Sequence, residues 1–302
     1  MSKNNLERKP SKTAMFAALH RAIANKEFKN EYLGPDYLAE NFLPSISKFL
    51  IKFKSVRLKV KKRLNRYLPG LHEYVTARTV FFDRIFTDAL KHEIPQIVFL
   101  GAGYDTRAYR FDTLNKETKI FELDIITTQN RKKKCLSRAR VDIPDYVTFV
   151  PVDFNRESLK EVLEKAGYDD HKKTLFLLEG VSYYLEPESV ETTLEFVKSF
   201  SHEKSLIAFD YTISISEENI SNYYGVKEFL ETMKNHHPDE LNRFAIDEGK
   251  IGSFLENRGL KLVTYLDEKE IENTCLLNEE RSLIGQITGH FRFALASPGT
   301  IS

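Results

Sequence analysis

The sequence has few cysteines and no long apolar runs. Cys135 and Cys275 have neither a second cysteine nor a histidine at zinc-ligand spacing, which argues against a disulfide framework and a metal site. No segment approaches the roughly 20 apolar residues of a membrane span, and the start, MSKNNLERKPSK, lacks the apolar core of a secretion signal. We therefore expect a cytoplasmic protein with no metal and no membrane span.

An excess of charge of either sign is also missing. The 45 basic and 44 acidic residues give a net charge of +1, which provides no overall field to attract nucleic acid or an anionic membrane. A charged partner must therefore be met by a local patch. The length of 302 residues allows one large α/β domain, which we place at residues 13–302 after a flexible N-terminus at 1–12.

The N-terminal part, residues 13–92, is expected to form a helical cap. The Ala-rich segment from Thr13 to Glu27 predicts a helix, and a second helix is predicted between Pro44 and Pro69. The second one, residues 45–67, is amphipathic and basic: its apolar positions are Phe49, Phe53, Val56, Val60 and Leu64. Its charged side fits an acidic substrate, lipid headgroups or RNA, but we favour a cap helix with a solvated face.

From Gln96 onward, short apolar runs alternate with helical segments, which predicts βαβ units. The predicted strands cover residues 97–100, 119–124, 147–153, 174–180 and 205–211. KLVTYL and ITGHFRFALAS are expected to add a terminal β-hairpin. The fold class is therefore α/β, with a Rossmann-like, seven-stranded and mostly parallel sheet in a core at 93–302. Residues 214–247 interrupt this pattern and are the predicted lid.

The carboxyl ends of the first two strands carry ligand-binding features. Gly101 and Gly103 follow the first strand and allow backbone N–H groups to approach a ligand closely. A dinucleotide fingerprint would have a third glycine where this chain has Thr106, which argues against NAD. Asp124 ends the second strand, about 20 residues later, where a carboxylate accepts the ribose hydroxyls of a nucleoside. Alternatively, Asp124 caps the next helix, and Glu122 shares its face.

The next two strands also end in acidic residues. Asp153 and Phe154 provide a carboxylate and an aromatic ring that suit an adenine. Glu179 lies among apolar residues, where a carboxylate needs a cationic or donor-rich partner. Upstream, the planar fork of Arg78 suits a free carboxylate, or else makes an ordinary ion pair on a helix surface. Open α/β sheets bind ligands at this edge, so the four strand ends together predict a nucleoside-containing ligand.

The runs ARTVFFDR, VFLGAGYDTRAYR, FELD, VDF and LLEGVSYYL, in this order, resemble the leucine carboxyl methyltransferase family and its bacterial branch. The resemblance extends from about Ser11 to Pro298 and implies a class I methyltransferase that uses S-adenosylmethionine (SAM). It also implies roles for the residues above. Arg78 would bind the SAM carboxylate and Glu179 its amino group, while Gly101 and Gly103 would line the methionine. Asp124 would bind the ribose, and Asp153 and Phe154 would contact the adenine.

The methyl acceptor does not follow from the resemblance. We expect O-methylation of a carboxylate, or of a hydroxyl, on a small-molecule natural product; the C-terminal carboxylate of a protein is the alternative. A carboxylate needs no general base, whereas a hydroxyl does. The candidates for a base or an acceptor pocket are His236, His237, His290, Tyr183, Tyr184 and Tyr211.

Three other functional classes remain open at this stage. They are an NAD-dependent oxidoreductase, a non-catalytic SAM- or nucleotide-binding regulator, and a nucleic-acid methyltransferase. The last is disfavoured because the fourth strand ends in EGVSYY and not in an Asn-Pro-Pro-Tyr type of motif.

Overall fold

The computed structural model describes residues 11–28, 33–154, 156–236 and 243–299. Its strands are β1 (Gln96–Leu100), β2 (Lys119–Asp124), β3 (Val147–Pro151), β4 (Thr174–Leu178), β5 (Leu206–Thr212), β6 (Lys261–Leu266) and β7 (Phe291–Ser297). They form one seven-stranded sheet in the order β3-β2-β1-β4-β5-β7-β6. The first five strands pair in parallel, and β7 runs antiparallel to both β5 and β6. This confirms the predicted sheet with its terminal hairpin.

The helices before β1 are α1 (Lys12–Phe28), α2 (Ser45–Leu50), α3 (Lys54–Tyr67) and α4 (Leu71–Lys91). Those after it are α5 (Arg107–Arg110), α6 (Ile126–Arg138), α7 (Leu159–Lys165), α8 (Pro187–Ser199), α9 (Val226–His236), α10 (Ile251–Glu256) and α11 (Glu268–Cys275). Short 3-10 helices cover Ala39–Phe42, Asp112–Leu114, Ser182–Tyr184 and Ile220–Asn222. None of the helices in the described part of the chain is both long and apolar enough to cross a bilayer.

Helices cover both faces of the sheet. Every residue of β1 and β4 is buried, as expected for central parallel strands, which read as continuous apolar runs. One core cluster joins the sheet to α1 and α4, and the other joins it to α7, α8 and α10. Helix α4 is buried along most of its length, including Phe81, Phe82 and Phe86. The cap and the sheet therefore share a hydrophobic core.

Two predicted strands are too long at their carboxyl ends. The third was predicted to reach Asp153 but ends at Pro151, which pairs with Asp124, the last residue of β2. Beyond that pair the neighbouring chain leaves the sheet for α6, so no partner strand remains. The fourth was predicted to reach Gly180, whose φ of 69° turns the chain away from extended geometry. Asp153 and Glu179 consequently lie in loops at the sheet edge.

The single basic helix predicted between Pro44 and Pro69 is wrong in one respect. The structure has two helices, α2 and α3, with a turn between them. Arg57 is buried, and its Nη1 donates to the carbonyls of Ile51 at 2.8 Å and Lys52 at 3.0 Å, which satisfies the end of α2. The turn moves Phe49 and Phe53 off the inner face, so that they are 57% and 49% exposed.

Two buried histidines lie between α1 and α4. The Nδ1 atoms of His20 and His72 are 3.1 Å apart, and both residues are buried. Burial lowers the pKa of His20 to about 3, and the positive charges of Arg78 and Lys61 act in the same direction. The imidazole of His20 is therefore neutral in the folded protein at neutral pH.

This pKa predicts that acid destabilises the fold. Below pH 6.5 the unfolded chain binds a proton at His20, which the folded protein does not bind until pH falls to about 3. Stability is therefore lost progressively across that interval as the pH falls. Between about pH 7 and about pH 5, His20 should remove about 2 kcal/mol from the free energy of unfolding.

Urea unfolding of His20→Leu at both pH values measures this contribution. The pH-dependent loss should shrink by about 2 kcal/mol in His20→Leu. It should stay unchanged in His171→Leu, because the side chain of His171 is 94% exposed. An unchanged pH dependence in His20→Leu would contradict the prediction.

Candidate active site

The loop after β1, here called the glycine loop, has a backbone conformation that requires glycine at Gly101 and Gly103. Gly101 has a φ of 86° and Gly103 a φ of 47°, a region that L side chains rarely adopt. A Cβ on Gly101 would lie 2.7 Å from Val181 Cγ2, so the loop after β1 directly contacts the loop after β4. A Cβ on Gly103 would lie 3.3 Å from Ala14 of α1, so the cap also approaches this loop.

Asp124, at the end of β2, lies beside the glycine loop. Its Oδ2 accepts a hydrogen bond from Gly103 N at 2.6 Å, and its Oδ1 accepts one from Ile125 N at 2.7 Å. Burial raises the pKa of Asp124, and these two hydrogen bonds oppose that shift. The carboxylate is therefore next to backbone that can approach a ligand.

Glu122, two residues earlier, has a different environment. Lys132 Nζ donates to Glu122 Oε2 at 2.6 Å, and the Tyr109 hydroxyl donates to Oε1 at 3.1 Å. The side chains of Glu122 and Lys132 are each only 1% exposed. Glu122 is thus committed to a buried ion pair.

Glu179, just after β4, lies between two arginines. Arg78 Nε is 3.1 Å from its Oε1, and Arg107 Nη1 is 2.7 Å from its Oε2. Burial raises the pKa of Glu179, while the charges of Arg107 and Arg78 oppose the rise. A Cβ on the next residue, Gly180, would lie 2.7 Å from Arg78 Nη1, so only glycine allows this close approach.

Arg78 of α4 makes further contacts on the other side. Its Nη1 donates to the Tyr183 hydroxyl at 3.0 Å and lies 3.3 Å from Asp210 Oδ2. Tyr74 also donates to Asp210, and Gly180 N donates to Asp210 Oδ1 at 2.7 Å. Arg78 is therefore a bridge between the ends of β4 and β5, and its side chain is 7% exposed.

These ion pairs are part of a longer buried network. It continues from Arg107 to Asp105 and Asp83, then to Arg110, Asp36 and Arg21. No side chain in it is more than 12% exposed. The arginines are Arg21, Arg78, Arg107 and Arg110, and the acids are Asp36, Asp83, Asp105, Glu179 and Asp210, so the formal net charge is −1.

The sequence pattern pointed to Arg78 and Glu179 but missed most of this network. Asp105, Arg107 and Arg110 all lie within the GAGYDTRAYR run, so the signal was present there. Asp83 and Asp210 carried no signal of their own, because an acid on a helix or a strand does not reveal its partner.

Asp153 and Phe154 lie in the loop after β3. Arg156 Nε is 3.3 Å from Asp153 Oδ2, and Asp153 N donates to Glu157 Oε2 at 2.8 Å. Phe154 is half-buried and packs against the core cluster that contains Val150 of β3. Both residues follow the strand next to β2, so they share the sheet edge with Asp124.

The tyrosines predicted for an acceptor pocket separate into two groups. Tyr183 contacts Arg78, and Tyr184 packs edge-on against Tyr183 with ring centroids 4.6 Å apart. Tyr211 belongs to the other core cluster, because successive strand residues point to opposite faces and Asp210 faces Arg78. The structure thus brings Tyr183 and Tyr184 to the site and places Tyr211 on the opposite face.

The histidine candidates also differ in position. His290 is buried, and neither of its ring nitrogens has a hydrogen-bond partner among the described residues. It packs between Phe229 of α9 and Phe291, with centroids 4.9 and 4.3 Å away. Burial lowers the pKa of His290 to about 3, helped by Arg292. His236 is exposed at the end of α9, and His237 lies outside the described residues.

The sequence matches the model of one known family and relatives that are named as methyltransferases. The model of the family described as leucine carboxyl methyltransferase matches residues 14–198. YktD of Bacillus subtilis, a candidate S-adenosyl-L-methionine-dependent methyltransferase, is 27% identical over 94% of this chain and 97% of its own. A candidate methyltransferase of the same kind from Mycobacterium sp. (strain KMS) is 32% identical, over 72% of this chain and 70% of its own.

The fold likewise matches a solved structure. The crystal structure of a candidate methyltransferase from Thermobifida fusca gives a TM-score of 0.57 at 13% identity, with 97% of this chain and 96% of that chain covered. At that level of identity, the likeness concerns the fold alone.

The network predicts a large penalty for removing one acid. Asp83 accepts from Arg107 Nε at 2.7 Å and from Arg110 Nη1 and Nη2, each at 2.8 Å. Asp83→Ala leaves both guanidinium groups buried and short of a partner, so it should lower the free energy of unfolding by about 3–5 kcal/mol.

Asp88→Ala, one and a half turns along the same helix, is the matched control. The carboxylate of Asp88 is 63% exposed and, among the described residues, pairs only with Lys91 at 3.4 Å, so its loss should cost at most about 1 kcal/mol. Chemical unfolding of both variants tests the difference, and equal losses would refute the structural role of Asp83.

Proposed function

The chain belongs to the leucine carboxyl methyltransferase family, and on that premise we propose that it transfers a methyl group to a carboxylate oxygen of a small-molecule natural product. The enzyme is a SAM-dependent methyltransferase, as its relatives are named. SAM supplies the activated methyl group. What we propose is the acceptor, a carboxylate oxygen.

The main support for the cofactor's orientation is the Arg78–Glu179 ion pair. The methionine end of SAM carries a carboxylate and an ammonium on neighbouring atoms. Arg78 and Glu179 offer the opposite charges 3.1 Å apart, beside the glycine loop. A zwitterion placed against this pair meets a complementary arrangement of charge and hydrogen-bond groups. We assign the carboxylate to Arg78, the ammonium to Glu179 and the adjoining chain to Gly101 and Gly103.

The nucleoside end follows the sheet edge toward β3. Asp124 is the proposed acceptor for the ribose hydroxyls, in exchange for its present bond to Gly103 N. Asp153 and Phe154, after the next strand, are the proposed adenine contacts. The order β3-β2-β1-β4 then matches the order of adenine, ribose and methionine along the ligand.

The charge of the site also fits this ligand. The buried network has a formal net charge of −1, and SAM, with its sulfonium, ammonium and carboxylate, has a net charge of +1. In a site this buried, unbalanced charge is costly. The positive charge of SAM therefore offsets negative charge that the protein alone leaves, to which the carboxylate of Asp124 beside the glycine loop also contributes.

The proposal that the methyl acceptor is a carboxylate rests on the groups around Tyr183. Methyl transfer is an in-line displacement, so the protein must align donor and acceptor and exclude water. A carboxylate is already ionised at neutral pH and needs no base. Tyr183 lies beside Arg78, at the methionine end of the proposed cofactor site, and Tyr184 packs against Tyr183; both are the proposed walls of the acceptor pocket.

One observation favours a second candidate function, methylation of a hydroxyl. His290 is buried and both of its ring nitrogens lack a partner among the described residues, so a nitrogen is open to accept a substrate proton. Its lowered pKa of about 3 makes it a weak base unless the bound substrate raises that pKa. Phe291 connects it to the site, since its ring stacks on Tyr74 with a centroid distance of 3.6 Å. A protein C-terminal carboxylate is a further possible acceptor that shares the chemistry of the first proposal.

The cofactor assignment predicts different effects for Asp124 and Glu122. Asp124→Ala should weaken SAM binding by about 1–3 kcal/mol, because ribose donors lose an ionised acceptor. Glu122→Ala should leave SAM affinity unchanged in the folded protein but lower its stability, because Lys132 loses its partner while 1% exposed. Titration calorimetry and urea unfolding of both variants separate the two effects. A larger loss of affinity in Glu122→Ala would move the ribose site two residues earlier.

The acceptor assignment predicts an ester product. A cell extract incubated with the enzyme and methyl-labelled SAM should give product that releases labelled methanol on mild alkali. Label retained after alkali would mean an ether and would refute the carboxylate proposal.

His290→Phe supplies an independent measurement. It keeps an aromatic ring between Phe229 and Phe291 but removes the basic nitrogens. Carboxylate methylation should proceed within about threefold of the wild-type rate, whereas loss of a general base would slow turnover by about 10²–10⁴.

A further inference from the structure

An unusual apolar surface lies on α2, α3 and the turn between them, residues 45–67, here called the α2–α3 surface. Ile46 is 74% exposed, Phe49 57%, Leu50 41%, Phe53 49% and Leu58 54%. Large apolar side chains exposed singly are common on proteins, but these five occur within one short segment and the ring centroids of Phe49 and Phe53 are 5.4 Å apart, which points to an interaction site.

The same segment is strongly basic. Residues 45–67 contain nine lysines and arginines and no acidic residue. Three of these cations are used within the fold: Arg57 bonds the end of α2, Lys61 pairs with Glu27 at 2.8 Å, and Lys48 lies 3.5 Å from Glu40. The other six are exposed; they are Lys52, Lys54, Lys59, Lys62, Arg63 and Arg66.

Part of this charge lines an open groove. The groove has a volume of about 320 Å³ and is bordered by Lys59, Lys62, Arg63, Arg66 and Tyr67. Exposed apolar side chains and a cationic groove therefore occur on the same pair of helices, although the whole chain has a net charge of only +1.

The rest of the protein holds this surface in place. Val56, Val60 and Leu64 recur at helical spacing on the partly buried side of α3, which contacts α4 and α9. The Thr232 hydroxyl of α9 donates to Tyr67 O at 2.6 Å. The basic and apolar residues are consequently presented outward by a supported helix pair.

We propose that the α2–α3 surface docks on an anionic lipid bilayer. Ile46, Phe49, Leu50 and Phe53 enter the boundary between headgroups and acyl chains, and the exposed lysines and arginines contact lipid phosphates. This combination of an apolar face with flanking cations is what holds interfacial helices on membranes, and the anionic surface attracts each cation separately. The proposal does not depend on the identity of the methyl acceptor.

Two other occupants fit the surface less well. Nucleic acid would use the cations and stack bases on Phe49 and Phe53, but it leaves the exposed aliphatic Ile46, Leu50 and Leu58 without an apolar partner. A second copy of the chain, related by a twofold axis, would bring two uniformly positive faces together without acidic residues to balance them. A bilayer satisfies both the charge and the apolar side chains.

Vesicle flotation with the full chain tests the proposal. The wild type should float with vesicles in which about a third of the phosphatidylcholine is replaced by phosphatidylglycerol, and about tenfold less with pure phosphatidylcholine. Raising the salt to about 0.5 M should weaken the binding, because it screens the headgroup charge.

Two variants separate the apolar and the charged contributions. Phe49→Ser with Phe53→Ser should lower binding about tenfold or more, as should Lys59→Gln, Lys62→Gln, Arg63→Gln and Arg66→Gln combined.

Matched controls change exposed residues elsewhere. One control, Leu114→Ser with Val263→Ser, removes apolar side chains that are 39% and 42% exposed. The other removes four exposed cations by combining Lys119→Gln, Lys172→Gln, Lys204→Gln and Lys250→Gln. Both control sets should bind as the wild type does.

Three results would overturn the proposal. The first is equal flotation with neutral and anionic vesicles. The second is an equal loss of binding in the control and test variants. The third is a protein that does not bind vesicles but binds RNA or polyglutamate. Circular dichroism melting of each variant establishes that it is folded.

Discussion

The buried ion-pair network from Arg21 to Asp210 is the interaction on which the rest of the site depends. It begins on α1, passes through α4 and α5, and ends on β5, so the helical cap and the carboxyl edge of the sheet are joined by charge as well as by apolar packing. Buried charges tolerate little displacement, because each partner that moves away leaves an uncompensated ion. The positions of Arg78 and Glu179 therefore depend on a chain of ion pairs that extends back to Arg21 of α1.

The sheet and its edge could be predicted from the sequence because they follow from local pattern. Alternating apolar runs and helices predict the strands and their parallel pairing, and Asp124 and Glu179 fall at the edge because of where the strands end. Residues whose role depends on distant partners could not be predicted. Tyr211 and Asp210 are neighbours in sequence but face opposite sides of β5, and Asp83 acquires its role only through Arg107 and Arg110.

The α2–α3 region shows the same limit in another form. The helical period placed Phe49 and Phe53 on the inner face, and this would hold for one straight helix. Instead, the chain turns between α2 and α3, Arg57 donates to the carbonyls at the end of α2, and the two phenylalanines are exposed. Periodicity alone contains no information about this turn or about the buried cation that bonds to it.

The net charge of the network has a consequence for the end of the catalytic cycle. Once the methyl group has left, S-adenosylhomocysteine keeps its ammonium and carboxylate but has lost the sulfonium charge, so it is neutral overall. In the proposed binding mode, the negative charge of the network then loses the cation that offset it, in a site where no charged side chain of the network is more than 12% exposed. We expect the spent cofactor to be held less tightly than the fresh one, so that the chemical step itself promotes exchange of the cofactor.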